Sequence, residues 1–351
     1  MTHFARSPSL QVLSLLVGLF ALLAGAALHG TGTVGRAAEP AVPPPPDQNS
    51  LYRDWGGGLG VSDYDPAPTQ EQLAAAAKAG FKTLKMSPNW PAHTAAAAPY
   101  TIDPKFLKAK MELLAQAQAH RLRVILLLSP DSALAKDPNQ EERYVAMCRQ
   151  VAEACRDQPP TVALELLCEP GGRLDANGWN LLLSRVLPDI RKAQPTRLIL
   201  VGASKFYDHL MRLALPEDDR YLVVNFYYWL IGKDPWDGTA AQKKAIADQF
   251  ARLADWAHAH KHPLFLSAFG KNIGAGDLDS HPRWMECVAR AAEDRHIPWA
   301  YSRFFGGDDA PSSMTNSVER AAPSAPLRIA DNRETRQRIA ALETRIATCH
   351  G

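Results

Sequence analysis

From Leu51 onward, short apolar runs alternate with longer stretches whose apolar residues recur at helical spacing. The apolar runs that read as strands are Leu59–Val61, Thr83–Met86, Val124–Leu128, Val162–Leu167, Leu198–Val201, Leu222–Phe226, Leu264–Ala268 and Trp299–Tyr301. Between them the pattern predicts helices over Gln70–Ala79, Lys105–His120, Glu141–Arg156, Gly178–Ala193, Tyr207–Leu213, Ala240–His260 and Arg283–Arg295, with a last one over Arg333–Thr348. Thr69 is placed to cap the first of these. The long helix carries Ile246, Phe250, Leu253 and Ala257 on one face. Eight strands alternating with helices predict a parallel α/β fold, and the count favours a closed (β/α)8 barrel over an open doubly wound sheet. Ala310–Ala330, polar and Pro-bearing, reads as a long loop.

The first 38 residues stand apart from this pattern. Leu10–Leu28 is almost continuously apolar and follows Arg6, and Ala24-Gly25-Ala26 within it and Gly35-Arg36-Ala37 beyond it are both possible small-residue cleavage sites. This reads as an export signal. A run of about 19 residues also has the length of an uncleaved anchor. Residues 39–50, with Pro43-Pro44-Pro45-Pro46, read as a stiff spacer, and 51–351 as one barrel domain. The expected location is therefore the cell envelope or outside it, with membrane contact only through the N-terminal segment.

Composition narrows the partners. Of 351 residues, 22% are charged and the net charge is +2, with no basic run, which argues against nucleic acid. No Gly-x-Gly-x-x-Gly opens a helix, so no dinucleotide cofactor is expected. Five cysteines match no zinc spacing. Cys148 and Cys155 lie about 10 Å apart along one helix, too far for a disulfide. His258, His260 and His262 have the spacing of a metal pair but end a helix at the wrong side of a barrel, so no metal is expected. A single chain is the expected unit.

Several segments carry a resemblance. Val162-Ala163-Leu164-Glu165-Leu166-Leu167-Cys168-Glu169-Pro170 resembles the Ala-Leu-Glu-Leu-Leu-Asn-Glu-Pro strand of glycoside hydrolase family 5, the cellulase-like retaining glycosidases. Pro263-Leu264-Phe265-Leu266-Ser267-Ala268-Phe269-Gly270 resembles that family's Pro-x-x-x-Gly-Glu-Phe-Gly. Gly80–Lys85, Trp179-Asn180, Arg191, Pro195-Thr196-Arg197, Leu215–Arg220 and Pro298-Trp299-Ala300-Tyr301 extend the likeness over most of the barrel.

The resemblance implies that Glu169 stands at the acid/base position and Ala268 at that of the nucleophile. A retaining mechanism needs two carboxyls about 5–5.5 Å apart, and alanine offers no nucleophilic atom. Other matched positions differ too. Lys85 stands for the family's supporting Arg, Cys168 for the Asn before the acid/base, Tyr227 for a His with Trp229 for its Tyr partner (a one-residue slip puts Asn225 or Phe226 at the His instead), and Ser302 for a stacking Trp. Leu127 and Ser129 replace an Asp-x-His pair.

Trp90, Tyr227, Tyr228, Trp229, Trp236, Trp299, Phe304 and Phe305 are expected near the barrel mouth, where rings can stack on sugar C–H faces. The expectation is a barrel that recognises β-linked oligo- or polysaccharide, with hydrolysis impaired. The alternatives are an active hydrolase pairing Glu169 with a relocated carboxylate (Asp277, Asp279, Asp308 or Asp309), or a scaffold for a protein partner.

Overall fold

The computed structural model describes residues 43–63, 67–129, 132–167, 169–203, 210–230, 236–271 and 280–301. The eight strands are β1 (Gly58–Ser62), β2 (Thr83–Ser87), β3 (Arg123–Leu128), β4 (Val162–Leu166), β5 (Ile199–Gly202), β6 (Leu222–Leu230), β7 (Leu264–Lys271) and β8 (Ala300–Tyr301). The helices are α1 (Gln48–Trp55), α2 (Gln70–Lys78), α3 (Pro104–Ala119), α4 (Glu141–Ala154), α5 (Ala176–Ala193), α6 (Ala240–His260) and α7 (Ser280–Glu293). From β1 to β7 each strand pairs in parallel with the next, and β8 returns to pair with β1. A bridge between Leu266 and Trp299, backed by the Leu266 N–H donating to the Pro298 carbonyl at 2.9 Å, links β7 to the β8 side. The result is a (β/α)8 barrel.

Side-chain alternation sorts the strands into two apolar layers. Leu59, Val61, Leu84, Met86, Val124, Leu126, Leu164, Leu166, Ile199, Val201, Val224 and Leu266 join the large core beneath the helices. Ile125, Ala163, Leu200, Val223, Phe265 and Ala300 point the other way and form a separate cluster inside the barrel. Gly58 is needed in the inner wall. A Cβ there would stand 2.8 Å from that of Ala300 and 3.3 Å from that of Thr83.

The strand count holds, but the boundaries move. β6 runs on through Trp229, and β7 through Gly270, well past their predicted ends. The predicted helix over Arg333–Thr348, the loop over Ala310–Ala330 and the first three residues of the short helix predicted at Tyr207–Leu213 lie outside the described residues; Leu210–Arg212 form a single 3-10 turn. The start of the domain shifts as well. Gln48–Ser50, assigned to the spacer, form the first turn of α1, capped by Asp47. Leu51 and Trp55 of this helix enter the inner cluster from the N-terminal side of the strands. Gln48 accepts from the Leu264 N–H at 2.7 Å and donates to the Leu264 and His296 carbonyls. Even Pro43 is tied down, its carbonyl accepting from the Tyr221 hydroxyl at 2.7 Å. The helix was missed because eight residues with only two buried apolar side chains leave little periodicity to read.

α1 therefore plugs the closed end of the barrel. Trp55 is 5% exposed, and the Arg123 guanidinium lies 5.3 Å from its ring centre. Trp55→Ala is expected to lower unfolding free energy by about 3–5 kcal/mol, read from urea titration of the full chain.

Candidate active site at the barrel mouth

Above the apolar floor the inner wall becomes polar. Lys85 of β2, Glu165 of β4, Asn225 and Tyr227 of β6, and Ser267 of β7 all point inward, and each is buried. Glu165 is the hub. Its Oε1 accepts from Lys85 Nζ at 3.0 Å, Asn225 Nδ2 at 2.6 Å, Ser267 Oγ at 2.7 Å and the Tyr227 hydroxyl. Its Oε2 lies 3.0 Å from Lys85 Nζ. Lys85 donates further to Ser267 Oγ at 2.8 Å, to the Ser267 carbonyl at 3.1 Å and to the Tyr227 oxygen at 3.3 Å. Two charges inside a barrel are tolerable only when paired and hydrogen-bonded; here they are paired, and the hydrogen bonds gather on Oε1 while Oε2 and Asn225 Oδ1 have none among the described residues.

The step in register between β6 and β7 shapes the next level. Phe226 pairs with Leu266, but Tyr227 pairs with Ala268, so Ser267 is an extra residue on β7. Such a bulge re-aims the side chains that follow it. Ser267 joins the inner network, Ala268 faces inward beside it, and Phe269 joins the outer core. The methyl of Ala268 is 1% exposed.

Glu169 follows β4 at the rim. Its backbone is left-handed (φ 47°), as is that of Leu167 (φ 27°). Left-handed non-glycine residues are uncommon and gather at functional sites. Its side chain reaches solvent. The surrounding protein nevertheless removes enough water to raise its carboxyl above the ordinary glutamate range, against the opposing pull of the Lys85 charge and a hydrogen bond from Trp229.

The expected aromatic mouth is corrected in most places. Trp90 is fully buried, with its N–H donating to the Leu127 carbonyl at 2.8 Å. Trp236 and Trp299 are buried too, and Trp299 packs edge-on against Phe269. Tyr228 points outward between Phe250 and Trp284 and donates to Gln249 at 2.6 Å. Burial pushes its phenol up to about 12. Rings enclosed in this way offer no face to a sugar. Trp229 differs: it stands at the inner rim and is only half-buried.

Cys168, Ser302, Phe304, Phe305, Asp277, Asp279, Asp308 and Asp309 lie outside the described residues. His260 is occupied locally, stacked on Trp256 and bonded to its carbonyl. Arg191 and Arg197 serve the scaffold. Arg191 holds Asp219 at 2.7 and 3.0 Å, and Arg197 donates to the carbonyls of Cys155, Gln158, Pro159 and Val162.

Sequence reasoning singled out Lys85 and Tyr227, offered Asn225 only as an alternative alignment to the His, and gave no role to Glu165 or Ser267. The signal was present. Each is a lone polar residue in an apolar strand, at the parity that faces the barrel interior.

The architecture is a (β/α)8 barrel with a polar inner wall beneath a rim carboxylate. The Cellulase (glycosyl hydrolase family 5) family model matches residues 53–304, and the chain belongs to that family. Endoglucanase H of Acetivibrio thermocellus is 24% identical over 270 residues, covering 71% of this chain but 29% of that protein. The chain thus spans under a third of that relative's length. A solved structure described as an endoglucanase superposes with a TM-score of 0.68 at 26% identity, covering 73% of this chain and 92% of the other. Thermotoga maritima Cel5A with mannotriose has a TM-score of 0.72 at 22% identity, covering 84% and 100%. The cellulose synthase subunit Z of Clostridioides difficile has 0.67 at 22%, covering 82% and 99%. The last two likenesses speak to fold.

Removing one partner of a buried ion pair strands the other. Glu165→Ala is expected to cost about 3–5 kcal/mol by urea unfolding, while Lys85→Met combined with Glu165→Leu recovers most of that loss.

Proposed function

We propose that this barrel recognises a β-linked glucan-type chain at its mouth and does not cleave it by double displacement. The observation that carries this is the commitment of Lys85 to Glu165. The cation that resemblance assigns to supporting a nucleophile is held within 3.0 Å of another carboxylate. The matched nucleophile position offers only the methyl of Ala268. Two carboxyls at a retaining separation are the minimum for that chemistry, and Glu165, fully buried and paired with Lys85, is too enclosed to serve as the second. The family's scaffold, with its relatives named as endoglucanases, supports a β-glucan as the ligand class. The N-terminal apolar segment supports action outside the cytoplasm. No helix among the described residues is long and apolar enough to cross a membrane.

A second reading is hydrolysis with inversion, Glu169 serving as general acid. The raised carboxyl of Glu169 favours it, because a general acid must hold its proton near working pH. That reading requires a base across roughly 6.5–9.5 Å.

One experiment separates the two. The full-length protein is incubated with cello-oligosaccharides and mixed β-glucans, binding is followed by calorimetry, and chain length by mass spectrometry. The proposal expects saturable binding with unchanged chain lengths. Shortened products that disappear in Glu169→Ala establish the inverting reading instead, and absence of binding to every β-glucan overturns the proposal.

A pH dependence follows from the same residue. As an anion, Glu169 accepts hydrogen bonds from sugar hydroxyls. Its raised pKa keeps the proton on to a higher pH than an ordinary glutamate, so affinity falls as pH descends through that value. Binding measured from pH 7.5 to about 4.5 should weaken in the native protein and stay flat in Glu169→Gln.

A further inference from the structure

We infer that the ligand lies across the outer face of the Trp229 indole, because that ring fills the well in which a sugar would otherwise sit. This rests on the glycan-binding reading above and specifies its geometry. Trp229 follows Tyr227 by two residues on β6, so both point into the barrel mouth. The register step pairs Tyr227 with Ala268 and Trp229 with Gly270. The six-membered edge of the indole (Cε3, Cζ3, Cη2) abuts Gly270. A Cβ added there would stand 2.4 Å from Cζ3, 3.0 Å from Cε3 and 3.4 Å from Cη2 of the ring. The ring's N–H side reaches Glu169, beyond the end of β4.

The indole therefore spans the mouth from β7 to the β4 rim. What lies one level below it is closed: Ala268 is 1% exposed and Tyr227 6%. The ring itself remains half-buried, one part covered and one part facing solvent. A sugar placed between Glu169 and position 268 would occupy the volume of the indole. The same ring offers its outer face to pyranose C–H groups, with the Glu169 carboxylate beside it to accept from a hydroxyl. Gly270 is the positioning residue, since any side chain there lifts the ring.

The test uses the full-length protein and cellohexaose, with affinity from calorimetry and melting temperature recorded for every variant. Trp229→Ala is expected to weaken binding by about tenfold or more. Gly270→Ala is expected to weaken binding in the native background and to change nothing further in the Trp229→Ala background, which a purely structural effect on folding would not produce. Binding that survives Trp229→Ala unchanged overturns the inference and leaves the parent reading standing. Tighter binding in Trp229→Ala also overturns it, because the sugar then enters the well. Failure of the native protein to bind overturns both.

Discussion

A single buried ion pair governs the upper half of this barrel. Lys85 and Glu165 face each other across the interior, and neither charge has access to water. Their mutual attraction is supported by hydrogen bonds that converge on Glu165 Oε1, while Oε2 has the Lys85 charge beside it but no hydrogen bond among the described residues. That support explains the identities around them. Asn225, Ser267 and Tyr227 each donate to Glu165, and Ser267 and Tyr227 also accept from Lys85. The bulge on β7 follows the same logic, since it places Ser267 inward without losing the strand pairing beyond it. Below this level the barrel is filled by apolar side chains and stoppered by Leu51 and Trp55.

The same constraint separates scaffold from chemistry. Membership in glycosyl hydrolase family 5 follows from residues spread along the whole barrel, and it does not decide what the site does. The arginines that tie loops at the closed end, Arg191 and Arg197, remain fully engaged. At the mouth, the positive charge of Lys85 is turned inward toward Glu165, and the described rim includes the solvent-reaching Glu169 and the half-buried Trp229 indole. Such a surface suits recognition of a neutral, hydroxyl-rich chain with apolar ring faces.

Much of the fold was legible because strand and helix periodicities differ sharply and the apolar runs are clean. The strands were placed from Val124–Leu128 or Val162–Leu167 with little ambiguity. α1 was not, because its apolar contribution amounts to Leu51 and Trp55. The site was legible only in part. Motif likeness drew notice to Glu169, Ala268 and Lys85. It could not reveal the partner of Lys85, since pairing across a barrel depends on register between strands 80 residues apart. It also overcounted aromatic residues. Trp90, Tyr228 and Trp236 stand near the mouth in sequence, but their rings turn away into packing, which only side-chain direction decides.

The measurement that bears most directly on this account is the activity of Ala268→Glu on cellohexaose, assayed by mass spectrometry with folding confirmed by circular dichroism. With Lys85 held by Glu165 and the Trp229 ring across the mouth, restoring a carboxylate at position 268 should give a folded protein that leaves the hexaose intact. Shorter cello-oligosaccharides from that variant would contradict the account, showing that the ion pair and the indole leave the well open and the remaining machinery competent.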